Sequence, residues 1–274
     1  MSFLAELAER DAAGEQADIY AQMRRLGGVP MVALIFRHLA TLPGALEWMW
    51  GAIGPAWRTG QLQEAAWNVA REVSLEPIAK MHRPALAAAG IDDAGMAEIH
   101  AVLEAYNRAN PENMLTILCA LRLLRGATAS VPTRPRAWVP PPAPGPLPPM
   151  AHPDTYSPEV AAVLDLVAAP GESGSPRVVQ SLYRHFVHRP AFLALAITLL
   201  RQRFDDGSIA RSVSNTYARM SVAADDIVRT LSAPPAPHDT FRPTCERFSG
   251  AVIPEMIVVG RLLSESLLDS KTGV

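Results

Sequence analysis

The chain has 274 residues, of which 49% are apolar, and a net charge of -2. This length allows one large core or two smaller ones, and the near-neutral charge provides no basic surface for nucleic acid. The longest strongly apolar stretch, Ala191 to Leu200, is too short to span a bilayer. The N-terminus lacks the pattern of a secretory signal. We therefore expect a globular cytoplasmic protein without membrane contact.

Apolar residues recur at three- and four-residue steps through the first half of the chain, which places each set on one helical face. The clearest sets are Leu46, Met49, Trp50, Ile53 and Trp57; Leu62, Ala66, Val69 and Val73; and Met114, Ile117, Leu118, Leu121 and Leu124. We find no convincing run of alternating β-branched residues, so a sheet is not expected. The pattern predicts an all-α fold.

Polar, proline and glycine residues mark the predicted helix ends. Asn110-Pro111-Glu112 and Ser157-Pro158-Glu159 both have the order typical of a helix start. In this order a side chain caps an amide, proline takes the position that needs no donor, and an acid follows. Gly60 and Gly207 follow apolar helical runs and are predicted to end them in the left-handed conformation.

A proline-rich segment, residues 131–154, interrupts the helical pattern. Proline fixes its own φ and lacks an amide donor, so the segment is predicted to run as extended polyproline II. We interpret it as a connector that Trp138 fastens to the surface below, although a ligand for a partner's aromatic groove is an alternative. The predicted division is a first helical repeat over 1–130, a linker over 131–156 and a second repeat over 157–274.

The two halves resemble each other. A shift of 147 positions, read directly from the sequence, brings Phe36-Arg37-His38-Leu39 onto Tyr183-Arg184-His185-Phe186. After some drift in register, Asn110-Pro111-Glu112 pairs with Ile253-Pro254-Glu255. A repeat of this length indicates a duplication that packs as a pseudo-dimer. A ligand site between the halves is the natural expectation, because pockets favour such interfaces.

Several polar residues at matched positions are candidates for chemistry. His38 and His185 could form a metal or acid/base pair, or could be hydrogen-bonded structural residues. Asn68 and Asn215 lie within helical patterns, where asparagine is unfavourable, so they could bind a carboxylate or a halide, or satisfy buried backbone groups. Glu64 precedes Asn68 by four residues and could activate water as a general base, or could be a solvated surface residue.

Amides and aromatic residues could line the same pocket. Asn110 and Asn113 are one helical turn apart, although Asn110 is also explained as a helix cap. Aromatic residues concentrate in the first half, namely Phe36, Trp48, Trp50, Trp57 and Trp67. They could form a wall whose indole N–H groups bind an anion, or they could simply be core residues.

No cofactor or metal is expected. The sequence has no CxxC, HExxH, GxGxxG, Walker or GxSxG motif. Cys119 and Cys245 are predicted to be small buried hydrophobes rather than disulfide or zinc ligands.

The duplicated helical plan, the stretches LIFRHLATLPGALEWMW and YRHFVHRPAFLALA, and the proline-rich link together resemble the group I 2-haloacid dehalogenase (DehI) family. The plan is also similar to the wider AhpD-like helical superfamily, although the CxxC of its redox members is missing. This resemblance implies hydrolysis of short 2-halocarboxylic acids by direct attack of an activated water, in a pocket between the halves. It implies a small carboxylic acid as the ligand, and a homodimer is possible.

Carried over by the resemblance, Phe36 and Trp48 would be wall residues of the first half and Glu64 a polar residue facing the pocket. Asn110 and Asn113 would be amides near the substrate. Tyr183 would lie on the helix of the second half that faces Phe36. These residues, with Asn68 and Asn215, form the predicted substrate site.

The sequence departs from the family at the base. The resemblance places a catalytic aspartate between Arg177 and Leu200, where the sequence has neither aspartate nor glutamate. We therefore predict that Glu64 or His185 replaces it. The alternative is a non-catalytic protein that binds small carboxylates on the same scaffold.

Overall fold

The computed structural model describes residues 5–132, 136–151, 153–168, 179–237 and 240–267. Regular structure in these residues is helical, without a strand, and the predicted all-α fold is confirmed. The α-helices are α1 (Gly14–Gly27), α2 (Leu34–Leu39), α3 (Ala45–Arg58), α4 (Gln61–Glu72), α5 (Arg83–Ala88), α6 (Asp93–Leu124), α7 (Pro158–Asp165), α8 (Ser181–His185), α9 (Pro190–Asp205), α10 (Ser208–Val228), α11 (Arg242–Arg247) and α12 (Ile253–Leu267). A π-helix, Phe248–Val252, leads into α12. None of the helices in these ranges combines the length and apolar character of a membrane span.

Most predicted helix ends are confirmed. Gly60 and Gly207 have φ of 73° and 72°, and each separates two consecutive helices. A left-handed residue at this point ends the first helix and turns the chain into the next. Ser157 caps α7, because its hydroxyl accepts a hydrogen bond from the Val160 N–H at 3.3 Å.

The helix start predicted at Asn110 is wrong. α6 runs through this position and contains Pro111 in its interior. It begins instead at Asp93, after the N-cap residue Asp92, whose carboxylate accepts a hydrogen bond from the Gly95 N–H at 2.8 Å. An internal proline removes one helical hydrogen bond. Here the whole stretch 109–121 is buried, so tertiary packing offsets that loss.

The described residues form two hydrophobic cores, and α6 belongs to both. The first core joins α1, α3 and α4 to the C-terminal half of α6, with the end of α10 and the start of α12. The second joins the N-terminal half of α6 to α5, α8, α9 and most of α12. Each core therefore contains residues from both sides of the proline-rich segment. The sequence-based boundaries at 130 and 157 stay a prediction.

α6 and α12 cross closely in the middle of the molecule. The Asn107 Nδ2 group donates to the Gly260 carbonyl at 3.3 Å and to the Ser264 hydroxyl at 2.8 Å. A Cβ atom at position 260 would collide with the Asn107 side chain, so glycine permits this approach. The C-terminal half of α6 shares the first core with Ile253 and Ile257. The two helices therefore run antiparallel, and the middle of α6 lies beside the middle of α12.

The proline-rich segment crosses the surface without regular structure over 136–151. As predicted, Trp138 fastens it: the indole N–H donates to the Leu26 carbonyl at 2.8 Å, and the ring packs against Trp67 with centroids 5.9 Å apart. Further along, Arg108 donates to the Pro142 carbonyl at 2.7 Å. The segment thus holds a fixed path over the helices.

Candidate functional site

A polar cluster lies between the start of α8 and the first turn of α12. Gln180 immediately precedes α8 and is 6% exposed, and its Nε2 donates to Glu255 Oε1 at 3.2 Å. Tyr183, one turn further, is fully buried. Within the described residues, Gln180 Oε1 and the Tyr183 hydroxyl have no hydrogen-bond partner. Buried polar atoms without partners are uncommon, so these two atoms indicate a place for water or a ligand.

Electrostatics link Tyr183 and Glu255. Burial raises the pKa of Glu255 from 4.5 to about 6, because desolvation disfavours its charged form. Burial also raises the pKa of Tyr183 well above its usual value, and the negative charge of Glu255 raises it further. At neutral pH the cluster therefore contains a carboxylate that is mostly ionised and a tyrosine that keeps its proton.

The two amides predicted on α6 are buried in its middle. Asn110 and Asn113 are 8% and 5% exposed. Asn110 Nδ2 has no hydrogen-bond partner among the described residues. The helix that carries these amides packs against both α12 and α8, and Asn110 Nδ2 is a buried donor that the described residues leave unused.

Glu112 lies on the same helix but in an apolar environment. It is fully buried, and neither carboxyl oxygen has a hydrogen-bond partner within the described part of the chain. A Cβ atom at position 27 would lie 2.5 Å from Glu112 Oε2 and 3.3 Å from the Trp57 ring, so the glycine makes room for the carboxyl. Burial raises the pKa of Glu112 well above its usual value. This raised pKa favours the neutral, protonated form of Glu112, whereas Glu255 is mostly ionised at neutral pH.

The two matched histidines do not meet. The His185 Nδ1 group lies 3.1 Å from the Pro148 carbonyl, and the His38 Nδ1 group lies 2.8 Å from the Ala5 carbonyl. A carbonyl only accepts, so each Nδ1 carries the proton. The His185 ring also packs against Tyr106, with centroids 5.6 Å apart. Burial lowers the pKa of His185 to about 4, which keeps it neutral and makes Nε2 a weak base.

Glu64 and the matched asparagines lie toward the surface. Both guanidinium Nη groups of Arg136 bind the Glu64 carboxylate, and this hydrogen bonding lowers the pKa of Glu64. Asn68 and Asn215 are exposed, and Asn68 accepts a hydrogen bond from Arg71. The structure therefore does not bring Glu64, Asn68 or Asn215 to the buried cluster around Gln180.

The aromatic residues of the first half are packed in its core. Phe36 is 1% exposed, and Trp48 packs against Phe241 with centroids 5.6 Å apart. All five indole N–H groups donate to protein acceptors: Trp48 to Pro234, Trp50 to Gln22, Trp57 to Thr116, Trp67 to Arg108 and Trp138 to Leu26. The core interpretation holds for the tryptophans, and no indole donor is left to bind an anion.

The cysteines are buried and unpaired with each other, as predicted. Burial raises the pKa of both thiols to about 12. A thiol in that state is not a nucleophile near neutral pH.

Sequence reasoning missed Gln180 and Glu255 as candidate site residues. The signal was available in the repeat, which pairs Glu112 with Glu255. The resemblance to the family points only to the segment between Arg177 and Leu200, whereas the carboxylate of Glu255 lies 75 residues after Gln180 in the sequence.

The chain is similar in sequence to a known dehalogenase. No protein-family model matches the chain. A configuration-inverting 2-haloacid dehalogenase from Alcaligenes xylosoxydans xylosoxydans is 32% identical over 175 residues, which cover 61% of this chain and 59% of that protein. The chain thus spans about three fifths of the length of this curated relative.

Solved structures match over nearly the whole chain. A D-2-haloacid dehalogenase mutant in complex with D-2-CPA has a TM-score of 0.70 at 17% identity, covering 96% of this chain and 94% of that one. A D-2-haloacid dehalogenase in complex with L-LA has a TM-score of 0.66 at 18% identity, covering 96% of this chain and 91% of that one. The chain therefore has the all-helical fold of these dehalogenases. The sequence similarity to a configuration-inverting 2-haloacid dehalogenase and the fold shared with these structures agree with the resemblance to the group I 2-haloacid dehalogenase (DehI) family.

Proposed function

We propose that this protein hydrolyses short 2-halocarboxylic acids, releasing halide and the 2-hydroxy acid. The observation that carries the proposal is the set of buried, unpartnered polar atoms on Asn110, Gln180 and Tyr183, in a chain related to such enzymes. In this proposal an activated water attacks the carbon that bears the halogen directly, without an ester intermediate.

The predicted residues take the following roles in the proposal. Asn110 and Asn113 donate hydrogen bonds to the substrate, and Tyr183 donates its hydroxyl from the opposite side. Phe36 supplies apolar wall, and Trp48 supports that wall from the first core, because its indole N–H is already bonded to Pro234. These assignments agree with the burial of all five side chains.

Of the two bases predicted from the sequence, His185 has the better position. His185 lies on α8, two residues beyond Tyr183, and its buried ring packs against Tyr106 of α6. Its low pKa of about 4 makes it a weak proton acceptor. Glu64 is held in an ion pair with Arg136, and the pair leaves it exposed. The proposal therefore keeps both residues as candidates, with Glu64 the weaker.

The experiment is halide release from D- and L-2-chloropropionate by the purified protein, read against a buffer blank. The configuration of the lactate formed is measured in the same reaction. Release of halide with an equal amount of lactate supports the proposal, whereas a rate equal to the blank for both enantiomers overturns it. Glu64→Gln and His185→Gln are assayed in parallel. A variant that keeps full turnover removes that residue from the list of bases.

A non-catalytic protein that binds small carboxylates is the second candidate. It is favoured by the lack of any acid between Arg177 and Leu200. Binding of lactate in a calorimeter, without halide release from either enantiomer, is the result expected of it.

Two further proposals concern the protein in the cell and in solution. We propose that it is cytoplasmic and forms a homodimer. Light scattering from the purified protein tests the dimer, and a mass near the 29.5 kDa of one chain contradicts it.

A further inference from the structure

The carboxylate of Glu255 contacts the segment 177–200. The family resemblance places an acid in this segment, and the sequence has none there. Its Oε1 atom accepts the hydrogen bond from Gln180 Nε2 at 3.2 Å. Gln180 lies within the acid-free stretch 177–200 and immediately precedes α8. A carboxylate from α12 is thus present at the start of α8, although none is encoded there.

We propose, on the basis of the proposed function, that Glu255 is the general base that activates the hydrolytic water. Gln180 is its positioning residue: its amide holds one carboxylate oxygen and leaves Gln180 Oε1 to orient the water. The geometry that points to this role is the convergence of Glu255 with two buried polar atoms, Gln180 Oε1 and the Tyr183 hydroxyl. Neither of these atoms has a partner within the described residues.

The proton and electron balance of the step is simple. Glu255 takes a proton from the water as the water oxygen bonds to C2 of the substrate. The carbon–halogen bond breaks at the same time, and the halide leaves with the electron pair. Glu255 then passes its proton to solvent and is ready for another turnover. No oxidant and no substrate other than water is needed.

The environment of Glu255 suits a base at neutral pH. Burial alone raises its pKa to about 6, and no positive side chain among the described residues pairs with it. A base works best when its pKa lies close to the working pH. The three other candidates differ in this respect. Glu64 is paired with Arg136, His185 has a pKa of about 4, and Glu112 is neutral and faces apolar groups.

The test compares Glu255→Gln with Glu112→Gln in the full chain. Both substitutions replace a carboxyl by an amide of the same shape, the first at the partly buried Glu255 and the second at the fully buried Glu112, but only the first removes the proposed base. We expect Glu255→Gln to lower kcat for 2-chloropropionate by about 10²- to 10⁴-fold, the usual contribution of a general base. We expect Glu112→Gln to turn over like the wild type. Circular dichroism and urea unfolding establish that each variant is folded.

Two further readouts separate a base from a structural residue. The wild-type profile of kcat/KM against pH is expected to rise through about pH 6, the pKa of Glu255. In Glu255→Ala, added formate is expected to restore part of the activity, because a small carboxylate can occupy the space that the substitution opens. Formate rescue also keeps the test valid if Glu255→Gln folds poorly.

The outcomes distinguish the two proposals. An active wild type together with a Glu255→Gln variant within tenfold of it overturns the role of Glu255 and leaves the proposed function standing. The same conclusion follows if formate restores nothing to a folded Glu255→Ala variant. A wild type that releases no halide from either enantiomer overturns both proposals.

Discussion

Glu112 offers a quantitative test of the physical reasoning about the centre of α6. Its side chain is fully buried, and neither carboxyl oxygen has a partner within the described residues. Burial therefore raises its folded-state pKa well above the value in the unfolded chain. Between these two pKa values the folded protein holds a proton that the unfolded chain releases. Stability is fully present below the unfolded pKa of about 4.3 and falls as pH rises toward the folded pKa.

The size of the effect follows from linkage. One proton released on unfolding lowers the free energy of unfolding by about 1.4 kcal/mol per pH unit. Glu112→Gln cannot release a proton, so this slope disappears in the variant. Any poorer hydrogen bonding of the amide adds an offset that is the same at every pH. We therefore expect the variant to gain stability relative to the wild type as pH rises above the unfolded pKa of about 4.3 toward the raised folded-state pKa of Glu112.

Urea unfolding of both proteins at half-unit pH intervals measures this difference. Other titrating groups, Glu255 among them, affect both proteins equally and cancel in the comparison. Parallel curves, with a constant difference in free energy over the whole pH range, would refute the buried, protonated state of Glu112.

Three further predictions concern helix ends and the polar cluster. Asp92→Ala removes the cap of α6 and should lower the free energy of unfolding by about 1 kcal/mol, as measured by urea unfolding. Ser157→Ala at the exposed cap of α7 should lower the free energy of unfolding by less. Gly60→Ala places a Cβ in the left-handed region and against the Trp138 ring, so it should cost at least about 1–2 kcal/mol, and an unchanged melting temperature would contradict this. Gln180→Ala removes the hydrogen-bond donor to Glu255 and should raise the pKa of that carboxyl. The rising limb of the kcat/KM profile should then move to higher pH. A limb at an unchanged pH would count against the positioning role of Gln180.

The fold was largely predictable because its signals are local. Apolar spacing identified helices such as α3, whose predicted inward face, including Ile53 and Trp57, is buried. The left-handed glycines at 60 and 207 follow from steric limits on φ that hold in any context. The helix start predicted at Asn110-Pro111-Glu112 was wrong, because α6 continues through Pro111. The local preference of proline for a helix start was outweighed by tertiary packing. Burial against two cores holds the helix together through a residue that would end it in isolation.

The site was less predictable because its contacts are distant in sequence. Asn110, Asn113, Tyr183 and His185 are candidates from the sequence, and the structure buries all four. Glu64 appeared suitable from its helical spacing, yet its pairing with Arg136 depends on where the proline-rich segment lies. No local pattern specifies that path.

The predicted repeat explains why one carboxyl of a matched pair could take up chemistry while the other does not. Glu112 and Glu255 each follow a proline at paired positions. The first faces Gly27 and Trp57 and remains protonated, while the second faces Gln180 and Tyr183 and is mostly ionised at neutral pH. Only an ionised carboxylate can take a proton from water. Duplication supplies two similar carboxyls, and the difference in their surroundings leaves Glu255 as the member of the pair that can act as a base.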